Sequence, residues 1–199
     1  RYLITGGAGF IGSHLTSALL AAGDEVVVLD NFASGKRSNL EGMGGGLDVI
    51  EGSILVEEDV QRAAKGCDGI FHLAAVPSVE RSVREPLANH EANCTGTITV
   101  LDVARQHGLK VVYAGSSSAY GDQEVANKHE ELRESPLSPY AAAKVAGEMY
   151  ARSFANVYGL PVVVTRFFNV FGPRQVPDSP YSGVVAAFCF ALLKGQVPI

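Results

Sequence analysis

Cysteine is scarce in this chain. Only Cys67, Cys94 and Cys189 occur in 199 residues, and they lie far apart. An odd, unclustered set supports neither a disulfide framework nor a zinc site. It reads as buried thiols in a reducing compartment, so the expected location is the cytoplasm. Charge is sparse as well, at 19 % of residues, with a net charge of -5 and a pI near 5.5. No run of one sign appears. The basic stripe of a nucleic-acid reader is missing, so no nucleic-acid partner is expected. No apolar run has the length of a membrane span, so no membrane partner is expected either. The opening RYLITGGAGF lacks the basic and apolar regions of a signal peptide. The histidines (His14, His72, His90, His107, His129) show no HExxH or related spacing, and no metal site is expected. No GxSxG elbow occurs, which leaves a hydrolase triad without support. The chain also lacks an initiator Met and closes on KGQVPI, so it reads as an excerpt from something longer.

What is present is an apolar chain, 47 % by residue, long enough to bury a core without disulfides or metals. Short Val- and Ile-rich runs occur at 2–5, 25–30, 48–51, 69–73, 110–114 and 161–167. They do not alternate with polar residues, the pattern of parallel strands covered on both faces. Between them lie helical patterns at 10–22, 57–65, 86–107, 139–158 and 183–194. Gly23, Gly108 and Gly159 supply stops, and Pro86 a start. Alternating elements predict an α/β fold, a doubly wound parallel sheet of the Rossmann type. Right-handed crossovers narrow the strand order to 3-2-1-4-5-6. EGMGGGL at 41–47 reads as a loop. The polar stretch 122–138 is too long for a plain connection and reads as a functional or partly ordered loop.

Gly6, Gly9 and Gly12 form a GxxGxxG loop between the first strand and the first helix. Glycine lets the backbone turn tightly and approach a pyrophosphate, and the helix N-terminus offers N–H groups to the anion. Asp30 ends the second strand, 18 residues after Gly12. That spacing suits a carboxylate bonding a ribose diol, and its charge would repel a 2′-phosphate, so NAD is expected over NADP. Lys36 and Arg37 follow closely. A packing turn at the glycines, or a plain turn residue at Asp30, is the blander alternative.

Tyr140 and Lys144 stand four apart at the start of a predicted helix and share a face. A free phenol titrates near 10. A neighbouring ammonium and a nicotinium charge would favour the phenolate, making Tyr140 a proton shuttle for a hydroxyl. Ser116, Ser117 and Ser118 follow the fifth strand, and ligands of open sheets bind beyond strand carboxyl ends. Ser116 therefore reaches the same crevice. Ser118 reads as an ordinary turn residue.

TGGAGFIGSHL, LDNFASG, HLAA, SSSAYGD, SPYAAAK and FFNVFGPRQ occur in that order. Together they resemble the extended short-chain dehydrogenase/reductase family, most closely its nucleotide-sugar 4-epimerases. The resemblance covers essentially the whole chain. It implies Tyr140 as acid/base, Lys144 on the nicotinamide ribose, and Ser116 on the reacting hydroxyl. It implies NAD contacts from Phe10, Ile11, Asp30, Asn31, Ser34, Gly35, Ser53, Ile54, Leu73, Ala74, Ala75, Asn93 and Phe168, besides Gly6, Gly9, Gly12, Tyr140 and Lys144. Ser78, Ser117, Asn169 and Gln175 would meet the sugar or its nucleotide phosphates, with Ser116 and Tyr140. The family often has Gly-Asp where this chain has Gly52-Ser53. Its dehydratases and decarboxylases usually carry an acidic residue near the serine cluster, and Ser116–Ser118 has none.

The resemblance implies C4 epimerisation of a UDP-hexose through a 4-keto sugar. A net oxidoreductase of the same fold and a non-catalytic dinucleotide scaffold are the alternatives. It also implies a homodimer through helices 86–107 and 139–158. Residues 1–167 are expected to form the NAD-binding domain, and 168–199 the start of a substrate-binding lobe.

Overall fold

The computed structural model describes residues 1–125, 127–175 and 184–197. Six parallel strands make one sheet: β1 (Tyr2–Thr5), β2 (Val26–Asp30), β3 (Leu47–Glu51), β4 (Gly69–His72), β5 (Lys110–Ser116) and β6 (Val162–Phe167). Their order is β3-β2-β1-β4-β5-β6, as the crossover rule predicts. The sequence runs outward in both directions from the β1–β4 neighbours. A crevice at such a switch point opens beyond the strand ends, here Thr5, Asp30, His72 and Ser116.

Seven α-helices are described: α1 (Phe10–Ala21), α2 (Glu57–Ala64), α3 (Val79–Arg84), α4 (Pro86–His90), α5 (Gly96–His107), α6 (Pro139–Tyr158) and α7 (Val184–Leu193). Successive strand residues point to opposite faces. Ile4, Val26 and Val28 face α1, where Leu15, Leu19 and Leu20 pack on them. Leu3, Val27, Leu29 and Ile70 face the other way, against Val60 of α2, Val100 and Leu101 of α5, and Ala151 of α6. Each such side chain, once buried, contributes about 1.5–3 kcal/mol. β2 is buried at every residue, whereas the edge strands β3 and β6 keep exposed positions. Coverage on both faces therefore holds for the centre of the sheet and not for its edges. No helix among the described residues is long and apolar enough to cross a membrane.

α6 is delimited by its sequence. Ser138 accepts a hydrogen bond from the Ala141 N–H at 3.1 Å, Pro139 opens the first turn, and Gly159 closes the helix at φ +67°. The helix expected over 86–107 is a jointed rod. α4 and α5 are separated by a wide π turn, Glu91–Thr95. α3 was not foreseen; its residues are mostly polar, and Ser78 caps it by accepting from the Arg81 N–H at 2.9 Å. β5 extends to Ser116, so that serine is the strand's last residue and not the first one after it. The stretch 122–138 holds no helix or strand among its described residues, yet it is tied down. Gln123 Nε2 donates to Tyr120 O at 3.0 Å and Arg133 O at 2.6 Å, and the Ser135 N–H donates to Ala119 O at 2.8 Å. The first residue of the expected 183–194 helix, and residues 176–183, 198 and 199 of the expected lobe, lie outside the described residues.

Candidate active site

The glycine cradle is shaped by close approach. Gly6 has φ +72°, and a Cβ there would meet the Ala74 backbone at 2.8 Å. A Cβ on Gly12 would stand 2.3 Å from the Gly6 carbonyl oxygen. Gly9 stands at the N-cap of α1, which has no side-chain cap and no acidic residue in its first turn. The leading N–H groups and the positive helix end therefore face the cradle unopposed, with Phe10 and Ile11 half-buried beside them. These residues fit a diphosphate-bearing cofactor.

Asp30 is buried at the end of β2. Its Oδ2 accepts from the Ala8 N–H at 2.9 Å and its Oδ1 from the Phe32 N–H at 2.8 Å. The carboxylate thus braces the glycine loop, and its remaining lone pairs leave room for a diol. The exposed Asn31 accepts from the Ala33 N–H at 3.1 Å through Oδ1, and Gly35 lies against Asp30, where a Cβ would sit 3.0 Å from the Asp30 Oδ1. Ser34 is exposed. Arg37 covers the Phe32 ring at 4.1 Å and pairs with Glu51, so this cation is engaged. Ser53 receives the Leu55 N–H at 3.2 Å and gives its own N–H to Asp59 at 2.9 Å, while Ile54 belongs to the core.

The segment after β4 is held by a chain of buried hydrogen bonds. His72 Nδ1 lies 2.7 Å from Thr5 Oγ1, and Nε2 lies 3.0 Å from Thr97 Oγ1. Thr97 donates to Asn93 O at 2.7 Å, which makes its oxygen the acceptor from Nε2–H. Thr5 then donates to Nδ1 and accepts from the Ala74 N–H at 3.3 Å. Burial holds this imidazole down to about 3, so it is neutral near pH 7. Asn93 grips both polar groups of Val76, accepting from its N–H at 2.9 Å and donating to its C=O at 3.2 Å. Leu73, Ala74 and Ala75 are thereby fixed as one half-buried wall of the crevice. Ser78, expected to meet substrate, is buried and caps α3.

Ser116, Tyr140 and Lys144 come together where β5 meets α6. Ser116 Oγ accepts from the Ser118 hydroxyl at 2.8 Å and from the Ser118 N–H at 3.2 Å. Ser118, read as a plain turn residue, therefore orients Ser116. Burial pushes the half-buried Tyr140 phenol up, and its hydrogen bond with Ser116 pulls the other way. The net shift in the chain alone is upward, opposite to the expected lowering, because burial outweighs the hydrogen bond and no cation contributes. Lys144 is buried, and burial lowers its ammonium to about 8. Its Nζ donates to Ala114 O at 2.7 Å and stands 5.0 Å from the Tyr113 ring centre, while the Tyr113 hydroxyl donates to Lys144 O at 3.2 Å. An ammonium has three donors, so two remain for a ligand.

The remaining residues line the way out of β6. Ser117 is half-buried, Asn169 is exposed, and Phe168 stacks on Tyr120 with ring centres 6.1 Å apart. Gln175 is half-buried, with Oε1 enclosed and without a hydrogen-bond partner among the described residues. Its turn is pinned to α1 by His14, whose Nε2 donates to Pro173 O at 2.8 Å. Among the described residues no cluster of His, Cys, Asp and Glu is suited to a metal. Sequence reasoning missed Thr5, His72 and Thr97, and also Glu134, Glu148 and Arg166. Only Glu148 carried a signal, since it continues the 140–144 spacing by one more turn.

The chain matches the model of the NAD dependent epimerase/dehydratase family over residues 2–199. It is 42% identical to a UDP-glucose 4-epimerase of Mycolicibacterium smegmatis, over 98% of this chain and 64% of that protein. It is 36% identical to a UDP-N-acetyl-alpha-D-glucosaminuronate decarboxylase of Bacillus cytotoxicus, over 98% of this chain and 62% of that one. The structure of a UDP-N-acetylglucosamine 4-epimerase from Methanobrevibacter ruminantium M1, in complex with UDP-N-acetylmuramic acid, superposes with a TM-score of 0.94 at 38% identity, covering 98% of this chain and 63% of that one. The chain therefore spans less than two thirds of the length of each of these relatives.

Proposed function

The chain belongs to the NAD dependent epimerase/dehydratase family, and we propose that the protein it comes from inverts C4 of a UDP-hexose, either UDP-glucose/UDP-galactose or the N-acetyl forms. The observation that carries this reading is the meeting of Ser116, Tyr140 and Lys144 at the junction of β5 and α6, with hydroxyls and no carboxylate at 116–118. NAD, when bound, would supply the hydride acceptor and donor at C4, and inversion requires the 4-keto sugar to turn its other face to it between the two transfers. Tyr140 takes the O4 proton as C4 is oxidised and gives it back at reduction. Ser116 holds that oxygen through both steps. Lys144, anchored on Ala114, directs its two remaining donors to the nicotinamide ribose. Gly6, Gly9, Gly12, Phe10 and Ile11 hold the pyrophosphate, and Asp30 the adenosine ribose. Ser117, Asn169 and Gln175 face the sugar nucleotide, and the unpartnered Gln175 Oε1 supports that role. Residues 168–199 then begin the substrate lobe. Exposed Leu87, Val157 and Tyr158 support pairing of two copies through the 86–107 rod and α6.

The kinship with a decarboxylase supports a second reading, in which a UDP-hexuronate loses CO2 after the same oxidation. One experiment separates them: NMR analysis of products from UDP-glucose, UDP-N-acetylglucosamine and UDP-glucuronate with the full-length protein. C4 inversion with no net NADH is expected. Carbon dioxide release from UDP-glucuronate, or a 4-keto-6-deoxy product, would replace the epimerase reading.

A further inference from the structure

Arg166 of β6 is almost enclosed, with 7% of its side chain exposed, and so is Glu148 of α6, with 2%. The guanidinium forks onto that carboxylate, Nε to Oε2 at 3.0 Å and Nη2 to Oε1 at 2.7 Å. Nη2 also reaches Glu134 Oε1 at 2.6 Å, the cation lies 4.7 Å from the Tyr120 ring centre, and the more exposed Arg152 of α6 pairs with the same two carboxylates from outside. Its Nη1 is buried without a hydrogen-bond partner. Buried ion pairs roughly break even against apolar packing, so stability alone does not account for this cluster. What the cluster does is join three segments. Glu148 lies on the stripe of Tyr140 and Lys144, two turns and one turn away. Tyr120 ends the turn that begins after Ser116. Glu134 precedes Ser135, whose N–H returns to Ala119 O at 2.8 Å.

We infer that Arg166 is a positioning residue: by clamping Glu134 and the Tyr120 ring to Glu148, it sets the place of the Ser116–Tyr120 turn relative to Tyr140. The inference rests on the reaction proposed above. The glycine cradle and Asp30, which carry the pyrophosphate and the adenosine ribose, lie on the other half of the sheet, so the clamp acts first on the reacting groups and only weakly on cofactor capture.

The test uses full-length Arg166→Lys and Glu134→Gln proteins. Lysine keeps the charge and loses the fork. For Arg166→Lys, kcat is expected to fall between about ten- and a hundredfold, the size of effect that small misplacements of reacting groups produce. Bound NAD per chain stays at the parental level, and amide hydrogen exchange rises at 117–120 and in the 127–138 segment. Glu134→Gln, a milder change in a loop, shows a smaller loss of kcat in the same direction with exchange raised in the same two segments. Parental kcat in both variants overturns the inference. So does loss of NAD in proportion to loss of turnover, which marks a merely structural role. Should the parent protein fail to act on any UDP-sugar, the proposed reaction falls, and the exchange measurement still decides the clamp: unchanged exchange at 117–120 in both variants refutes it.

Discussion

The two halves of the sheet present their ligand-facing edge by different means. On the β3-β2-β1 side the edge is backbone: glycines without a Cβ, an uncapped helix end, and one carboxylate that spends two bonds on the loop itself. On the β4-β5-β6 side the edge is buried polar side chains, each held by a fixed partner: His72 by two threonine side chains, Lys144 by a backbone carbonyl, Arg166 by two carboxylates. A backbone cradle suits a ligand that stays put, because it has no rotamers to lose. A set of restrained side chains suits chemistry, because protons move through such groups and burial tunes them.

The sharpest way to break this comparison is Tyr140→Phe, which deletes one oxygen from the side-chain half. Turnover of the UDP-sugar should drop roughly thousandfold while bound NAD per chain stays constant. Steady-state kinetics with absorbance of the released cofactor checks it, and loss of NAD would mean the halves are not separable. Gly12→Ala strikes the backbone half. The new Cβ would meet the Gly6 carbonyl at 2.3 Å, overpacking that costs about 1–3 kcal/mol. NAD affinity by calorimetry should fall by up to about a hundredfold, with the turnover of the loaded fraction unchanged. The smallest effect concerns His72, whose folded value of about 3 lies below its ordinary 6.5. Between those values the unfolded chain binds a proton that the folded chain refuses, so stability falls as pH drops through that window. From pH 7 to pH 5 this one group removes roughly 2 kcal/mol. His72→Gln should flatten the pH dependence of urea unfolding by that amount; equal slopes in parent and variant would show that the imidazole is not sealed.

The same contrast explains what the amino-acid order reveals. Strand order, the cradle and Asp30 follow from local pattern, since glycine spacing and a strand-ending acid act within thirty residues. That Tyr140 and Lys144 share a helix face was readable because one helical turn relates them. Arg166, Glu134 and Glu148 were not, because their meeting depends on β6 pairing with β5 and on a seventeen-residue loop folding back. The path from Thr5 through His72 to Thr97 was hidden for the same reason: it crosses two strands and a helix. Ser118 is the turn residue its sequence suggests, but its hydroxyl bond to Ser116 was not legible, because a hydroxyl that orients its neighbour looks, in sequence, like any turn serine.

The wide turn at Glu91–Thr95 has one more consequence. An extra residue in a helical circuit rotates everything after it by about 100°. The rod from Pro86 to His107 thus carries two phases instead of one. In the first, Asn89 and Asn93 face the Val76 peptide; in the second, Val100, Leu101, Val103 and Ala104 face the core. A helix in a single phase would have to compromise between the two clocks. The joint lets the crevice wall and the hydrophobic stripe each keep its own time.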